Sequence, residues 1–219
     1  MTSTLSDLFK VPVDVRDLHW HDDFYTQVVN ESFVPGDPDA MVGPDHFPYT
    51  ILFTPPERTS RAVPLKTLIE EATVNGTGIV LNPRANGADW VFGYGNLWSY
   101  RAFGSFFIPS ETPIESGPLV LEKDTKILVG SPSEMFFPSY ARRVIGDYMA
   151  QAFHISNPGV AILGPLGDAP ASVAFTIFRE DFPSEEAYET AMRRMTWFLP
   201  SHYVITGLPK SQEIDYTPL

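Results

Sequence analysis

The chain has 219 residues, 43% of them hydrophobic and 19% charged. That is a globular composition, which excludes wholesale disorder, collagen-like repeats and a membrane bundle. Fifteen Lys and Arg stand against 27 Asp and Glu, a net charge of −12, so the surface repels phosphate backbones and nucleic acid is not an expected partner. The absence of cysteine removes disulfides, thiolate nucleophiles and cysteine-ligated zinc and iron–sulfur clusters.

The N-terminus lacks a basic stretch followed by an apolar run, so it does not read as a secretory signal. No window approaches the ~18 apolar residues of a membrane span, and the expected compartment is the cytoplasm. Up to about Val34, the residues Val15, Leu18, Phe24, Tyr25, Val28 and Val29 suggest a helical stripe. Pro35-Gly36-Asp37-Pro38-Asp39 and Gly43-Pro44-Asp45 read as polar turns. Tyr49 to Thr54 is rich in β-branched and aromatic residues and predicts a strand, with a second short one from Ser60 to Val63. Pro64 opens a helix with Leu65, Leu68, Ile69 and Ala72 on its apolar face, and Asn75-Gly76 ends it. Gly78–Leu81 and Asp89–Phe92 predict strands, and Asn96 to Phe103 a helix.

Residues 104–125 are irregular and mark the expected domain boundary. Beyond them, 126–129 predicts a strand, Pro138-Ser139 opens a helix, Val160–Leu163 predicts a strand, Gly164 to Pro170 a loop, and Ser172–Phe178 a strand. Ser184 is an N-cap followed by Glu185 and Glu186, which suit a helix N-terminus. Pro200 stops that helix before a last strand at 202–206. The order over 126–207 is β-α-β-β-α-β, the ferredoxin-like order. The expected fold class is therefore α+β, with a helical or irregular segment at 1–44 and two small subdomains at 45–110 and 126–208.

No motif names a chemistry. His19-Trp20-His21-Asp22-Asp23 is the densest group of metal-ligand types. On a strand, His19 and His21 would share a face and could bind one metal with Asp22 or Asp23, as in a metal-dependent hydrolase. On a helix they diverge by about 200° and become surface histidines. Gly93-Tyr94-Gly95 is half of a dinucleotide fingerprint, with Trp98 where the third glycine belongs, and fits a tight turn equally well. There is no Walker-type loop and no nucleophile elbow, His154 and His202 have no visible nucleophile beside them, and the adjacent pairs Glu70-Glu71 and Glu185-Glu186 do not converge on a helix. No cofactor is expected, and the balance leans away from an enzyme. The aromatic segment from Trp90 to Phe107 is either core or an interaction face. In the second case Trp90, Tyr94, Trp98 and Arg101 would be its anchors.

Tyr49–Thr54, Ala62–Leu68 and Thr77-Gly78-Ile79-Val80-Leu81-Asn82-Pro83 resemble the N-terminal domain of SseB-like proteins, and the β-α-β-β-α-β half is similar to their C-terminal domain. The resemblance covers roughly 45–215. It implies a bacterial cytoplasmic accessory or interaction protein. The family is named for a serine-sensitivity phenotype, and no catalytic residues carry over. The expected function is therefore non-enzymatic interaction with a protein partner, with a homodimer through a free sheet edge also open. The alternatives are a small-metabolite-binding regulatory domain, with backbone N–H groups of 164–170 as contacts, and the metal-dependent hydrolase.

Overall fold

A computed structural model describes residues 4–55, 61–108, 127–165 and 171–219. It has the α+β class expected, built on two small mixed sheets. The chain divides into two compact units, Met1–Leu97 and Trp98–Leu219. The division falls earlier than the irregular 104–125 stretch, of which 109–125 lie outside the described residues.

In the first unit, α1 (Leu5–Phe9) and α2 (Leu18–Val28) precede the sheet. Asp17 caps α2, its Oδ1 accepting the Trp20 N–H at 2.8 Å, which satisfies one of the free donors at a helix start. The buried stripe of α2 is Trp20, Phe24 and Val28, four residues apart and so on one face. Leu18, expected in that stripe, occupies the first turn and is 84% exposed.

Strands β1 (Ser32–Val42), β2 (Pro48–Phe53), β3 (Val63–Pro64), β4 (Gly78–Leu81) and β5 (Trp90–Phe92) form a sheet in the order β3-β1-β2-β4-β5. The 1–44 segment is thus not separate, since β1 is central to the sheet. Nor is Pro35–Asp39 a turn that ends the strand. Val34 and Pro35 pair with Phe53 and Leu52, and pairing resumes at Ala40 with Thr50, so residues 36–39 bulge out of a continuous strand. Gly36 is needed there, because a Cβ would stand 2.8 Å from both Ile51 Cγ2 and the Pro38 carbonyl oxygen. Helix α3 (Leu65–Asn75) connects the parallel pair β2 and β4, as a parallel pair requires. It ends as expected at Gly76, whose φ of 75° is left-handed. Of the short strand expected at Ser60–Val63, only Val63 is found in β3, and 56–60 lie outside the described residues.

Helix α4 (Tyr94–Phe103) begins two residues earlier than its apolar pattern suggests, and the division between the units falls within it. In the second unit, β6 (Ile127–Gly130), α5 (Ser139–Phe153), β7 (Gly159–Pro165), β8 (Ser172–Phe175), α6 (Glu185–Thr196) and β9 (Val204–Ile205) keep the order read from the sequence, with β10 (Thr217–Pro218) added. Ser184 caps α6 through its hydroxyl, which accepts the Ala187 N–H at 3.2 Å. Strands β6 to β9 lie across the sheet in chain order, with β10 beside β6: β6 and β10 share one edge of β7, β8 pairs antiparallel with β7, and β9 runs parallel beside β8. The parallel pair is adjacent here, whereas a split βαβ unit inserts another strand between its parallel pair.

The two units repeat one topology. Each has a helix, an antiparallel strand pair, a crossover helix and a strand parallel to the second of the pair: α2-β1-β2-α3-β4 and α5-β7-β8-α6-β9.

Candidate functional site

The pleat assigns each strand residue to one of two faces. In the first sheet, Leu52, Ile79, Leu81 and Phe92 are fully buried. Phe92 and Trp90 face α2, with ring centroids 6.1 and 4.7 Å from Phe24. The registers Met41↔Tyr49, Tyr49↔Gly78, Ile51↔Val80 and Val80↔Val91 place the intervening residues on the opposite, helix-free face.

On that face is a cleft of about 390 Å³. Met41, Tyr49, Val80 and Val91 belong to its strands, Gly43-Pro44-Asp45 wall one side, and residues of the 83–88 loop wall the other. Met41 and Val91 are 37% and 47% exposed. Tyr49 is held edge-on by two glycines: a Cβ on Gly43 or on Gly78 would come within 2.7 or 2.6 Å of its ring. Its O–H donates to Asp45 Oδ2 at 2.5 Å, and Asp45 Oδ1 accepts the Phe47 N–H at 3.2 Å.

The loop that forms the other wall is fixed by Asn82, which has a left-handed φ of 48°. Its N–H donates to the Leu52 carbonyl at 2.8 Å. Its Oδ1 accepts the Thr54 N–H at 2.8 Å, and its Nδ2 donates to Thr54 Oγ1 at 3.0 Å and to Asp89 Oδ2 at 2.8 Å. Asn82 therefore ties the ends of β2 and β4 together and holds Asp89 for its ion pair with Arg84. The Arg16 guanidinium, stacked 4.3 Å over Trp20, donates to the Asp89 carbonyl at 3.2 Å.

The four residues read as an interaction face do not form one. Tyr94 and Trp98 are fully buried. Tyr94 donates its hydroxyl proton to the Thr73 carbonyl at 3.0 Å, and Trp98 packs edge-on against Phe137 and Tyr203. Trp90 is half-buried among Trp20, His21, Phe24 and Tyr25. Only Arg101 is exposed, its guanidinium 4.1 Å from the Tyr140 ring centroid. Alternation through β5 breaks at Gly93, just before the helix starts, so Tyr94 leaves the strand face on which Trp90 and Phe92 lie.

His19, His21 and Asp22 sit on α2, a helix, so the two imidazoles diverge. His19 is open to solvent and lies 3.8 Å from Asp23, while His21 Nδ1 lies 2.7 Å from the Asp17 carbonyl and its ring faces Trp90. Among the described residues no three His, Asp or Glu side chains are grouped to hold a metal ion. The Gly93 turn is closed by its own helix, the Gly93 N–H donating to Asn96 Oδ1 at 3.0 Å. Of the candidate anion loop, 166–170 lie outside the described residues. His154 takes the left-handed position that ends α5. His202 packs edge-on to Phe103 with Nδ1 buried and unpartnered, and burial lowers its pKa below the ordinary histidine value.

Sequence reasoning missed the cleft. Its one visible signal was the Trp90-Val91-Phe92 alternation, which places an apolar residue opposite two aromatic core residues. Among the described residues no helix is long and apolar enough to cross a membrane. No protein-family model, no curated protein and no solved structure matches the chain.

Proposed function

We propose that the chain is a non-catalytic, cytoplasmic interaction protein of SseB type, and that the helix-free face of its first sheet is the binding surface. The observation that carries this reading is the difference between the two repeated units. In the second, the helix-free face holds Leu163 and Ala174, and the chain's own Leu208, Ile214 and Tyr216 pack against it. In the first, the corresponding face is an apolar cleft with Met41 and Val91 exposed. The −12 charge favours a basic partner, because complementary charge speeds encounter.

A second reading, binding of a small metabolite, rests on the cleft volume of about 390 Å³, which falls within the range of small-ligand sites. The test is affinity capture from native cytosol with the tagged chain and its Val91→Arg variant, with partners read by mass spectrometry. A stoichiometric partner lost with Val91→Arg supports the interaction role. A partner captured equally by both chains refutes this placement of the surface. Capture of no partner, together with a thermal shift by small metabolites that Val91→Arg abolishes, moves the assignment to the second reading.

A further inference from the structure

We propose that the occupant of the first unit's cleft is a non-helical segment of a partner protein, carrying apolar side chains interspersed with lysine or arginine. The inference rests on the cleft being the binding surface and adds the chemistry of the segment that fills it.

The second unit supplies the precedent within the chain. The residue pairs Val160↔Phe175 and Ile162↔Val173 share one face of its sheet. Thr217 pairs with Val160, and two residues on, Leu219 lies against Gly146 of α5, where a Cβ would stand 3.1 Å from Leu219 Cβ. That face is therefore the helix face. Leu163, Ala174 and, by its place in the alternation, Tyr216 lie on the other. After β9 the chain runs without helix from Gly207 to Tyr216 and lays Leu208, Ile214 and Tyr216 on that second face. The repeated topology thus buries its helix-free face under non-helical chain, here turned at 209–212 by the Gln212 N–H to Pro209 carbonyl bond, when such chain is at hand. In the first unit, β4 is succeeded by the short loop 82–89 and β5, and this loop walls the face on one side while Val91 and Met41 stay exposed.

The walls set the charge of the occupant. Asp45 and Arg84 are the charged residues of the cleft lining. Arg84 is paired with Asp89. Asp45 is exposed and accepts one bond each from Phe47 and Tyr49, while a carboxylate offers about four acceptor sites. With Arg84 paired, the Asp45 carboxylate is the lining charge open to a cationic side chain beside the apolar ones.

The test uses the full chain and two fluorescent synthetic decapeptides with the sequence of 207–216. One carries Glu213→Lys and Asp215→Lys, and the other carries Lys210→Glu. Both keep the spacing of Leu208, Ile214 and Tyr216. Anisotropy is expected to show saturable binding of the lysine peptide, at least tenfold tighter than the acidic one and weakened by salt. Val91→Arg is expected to abolish binding, and Asp45→Asn to weaken it severalfold with unchanged circular dichroism. Equal binding of the two peptides, or lysine-peptide binding that survives Val91→Arg, overturns the proposal. Sedimentation showing a dimer that Val91→Arg dissociates also overturns it, and gives the face to a second copy. If neither peptide binds while a native partner is still lost with Val91→Arg, the peptide chemistry falls and the binding surface stands. If that partner is retained as well, both fall.

Discussion

Asn82 offers the sharpest test of how the cleft wall is held. Replacing it with alanine removes three side-chain hydrogen bonds, to Thr54 N–H, Thr54 Oγ1 and Asp89 Oδ2. Each is worth about 0.5–1.5 kcal/mol net, and the lower part of that range applies because the site is only half-buried, giving about 2 kcal/mol in all. Alanine at φ 48° adds about 1 kcal/mol relative to glycine, which adopts this conformation freely. Asn82→Ala should therefore cost about 3 kcal/mol and Asn82→Gly about 2. Asn82→Asp keeps an acceptor for Thr54 N–H but sets a carboxylate against Asp89 where an amide now donates. Mutual repulsion, partly offset by the Arg84 guanidinium on Asp89, favours protonation of that pair in the folded state. A group raised in the folded state contributes stability that is full below the unfolded pKa and lost as pH rises through the folded one. The deficit of Asn82→Asp should thus be largest near neutral pH and shrink as pH falls towards about 4. Hydrogen exchange of peptides covering 49–55 and 78–82 reads the loss locally, so the two-unit architecture does not blur it. Three variants within about 0.5 kcal/mol of one another, with no pH dependence in the third, would refute the clip.

Gly78→Ala drives a Cβ to 2.5 Å from the Phe92 carbonyl oxygen and 2.6 Å from the Tyr49 ring; a loss of about 1–3 kcal/mol and a shifted Tyr49 environment by NMR are expected. Trp98→Ala removes a fully buried side chain and should cost about 3–5 kcal/mol in urea denaturation, so lost partner capture in that variant would report unfolding. Val91→Arg, at a half-exposed position, should change the melting temperature little while abolishing binding. Burial holds His202 below its ordinary pKa, so it contributes stability that is full above the unfolded value of about 6.5 and lost as pH falls towards the lowered one. His202→Phe should flatten the slope of melting temperature over that window, and an unchanged slope would assign it to other groups.

The elements were legible wherever local chemistry and burial agreed. Pro64 and Gly76 bracket α3 because one gives up an N–H no helix start needs and the other takes a left-handed φ. Ser184 caps α6 for an equally local reason. The 35–39 stretch misled because its prolines and aspartates are turn formers by local preference, while pairing on both sides with β2 carries the strand through them as a bulge. The aromatic segment misled differently. Burial is a property of the groups that lie opposite a residue, and the partners of Trp98, Phe137 and Tyr203, are 39 and 105 residues away in the chain. The cleft was illegible for the same reason: Asp45, Val91 and Met41 come together only through strand register. Asn82 was legible as a turn residue, but its bonds to Thr54 and Asp89 were not.

The repeated topology also constrains where function can lie. An antiparallel strand pair, a crossover helix and a parallel strand recur in both units, and each sheet has one face packed under helices. The units differ in the chain that leaves their last shared strand. After β9 comes a long helix-free run, turned at 209–212, that closes the second sheet's free face. After β4 comes a short clipped loop and one more strand, β5, whose Val91 extends the apolar face. Asn82, Asp89 and Arg84 hold that loop at the side of the cleft. If the first unit needed only to be stable, the residues of 83–91 could lie across the face, as 208–216 do in the second. Three side-chain bonds and an ion pair instead fix them beside an exposed apolar surface. Weakening the clip while leaving Val91 and Met41 intact should therefore reduce binding through loss of the wall, and Asn82→Gly is the variant in which to measure it. Unchanged affinity for a Val91-dependent ligand in that variant would show that the strand face alone binds.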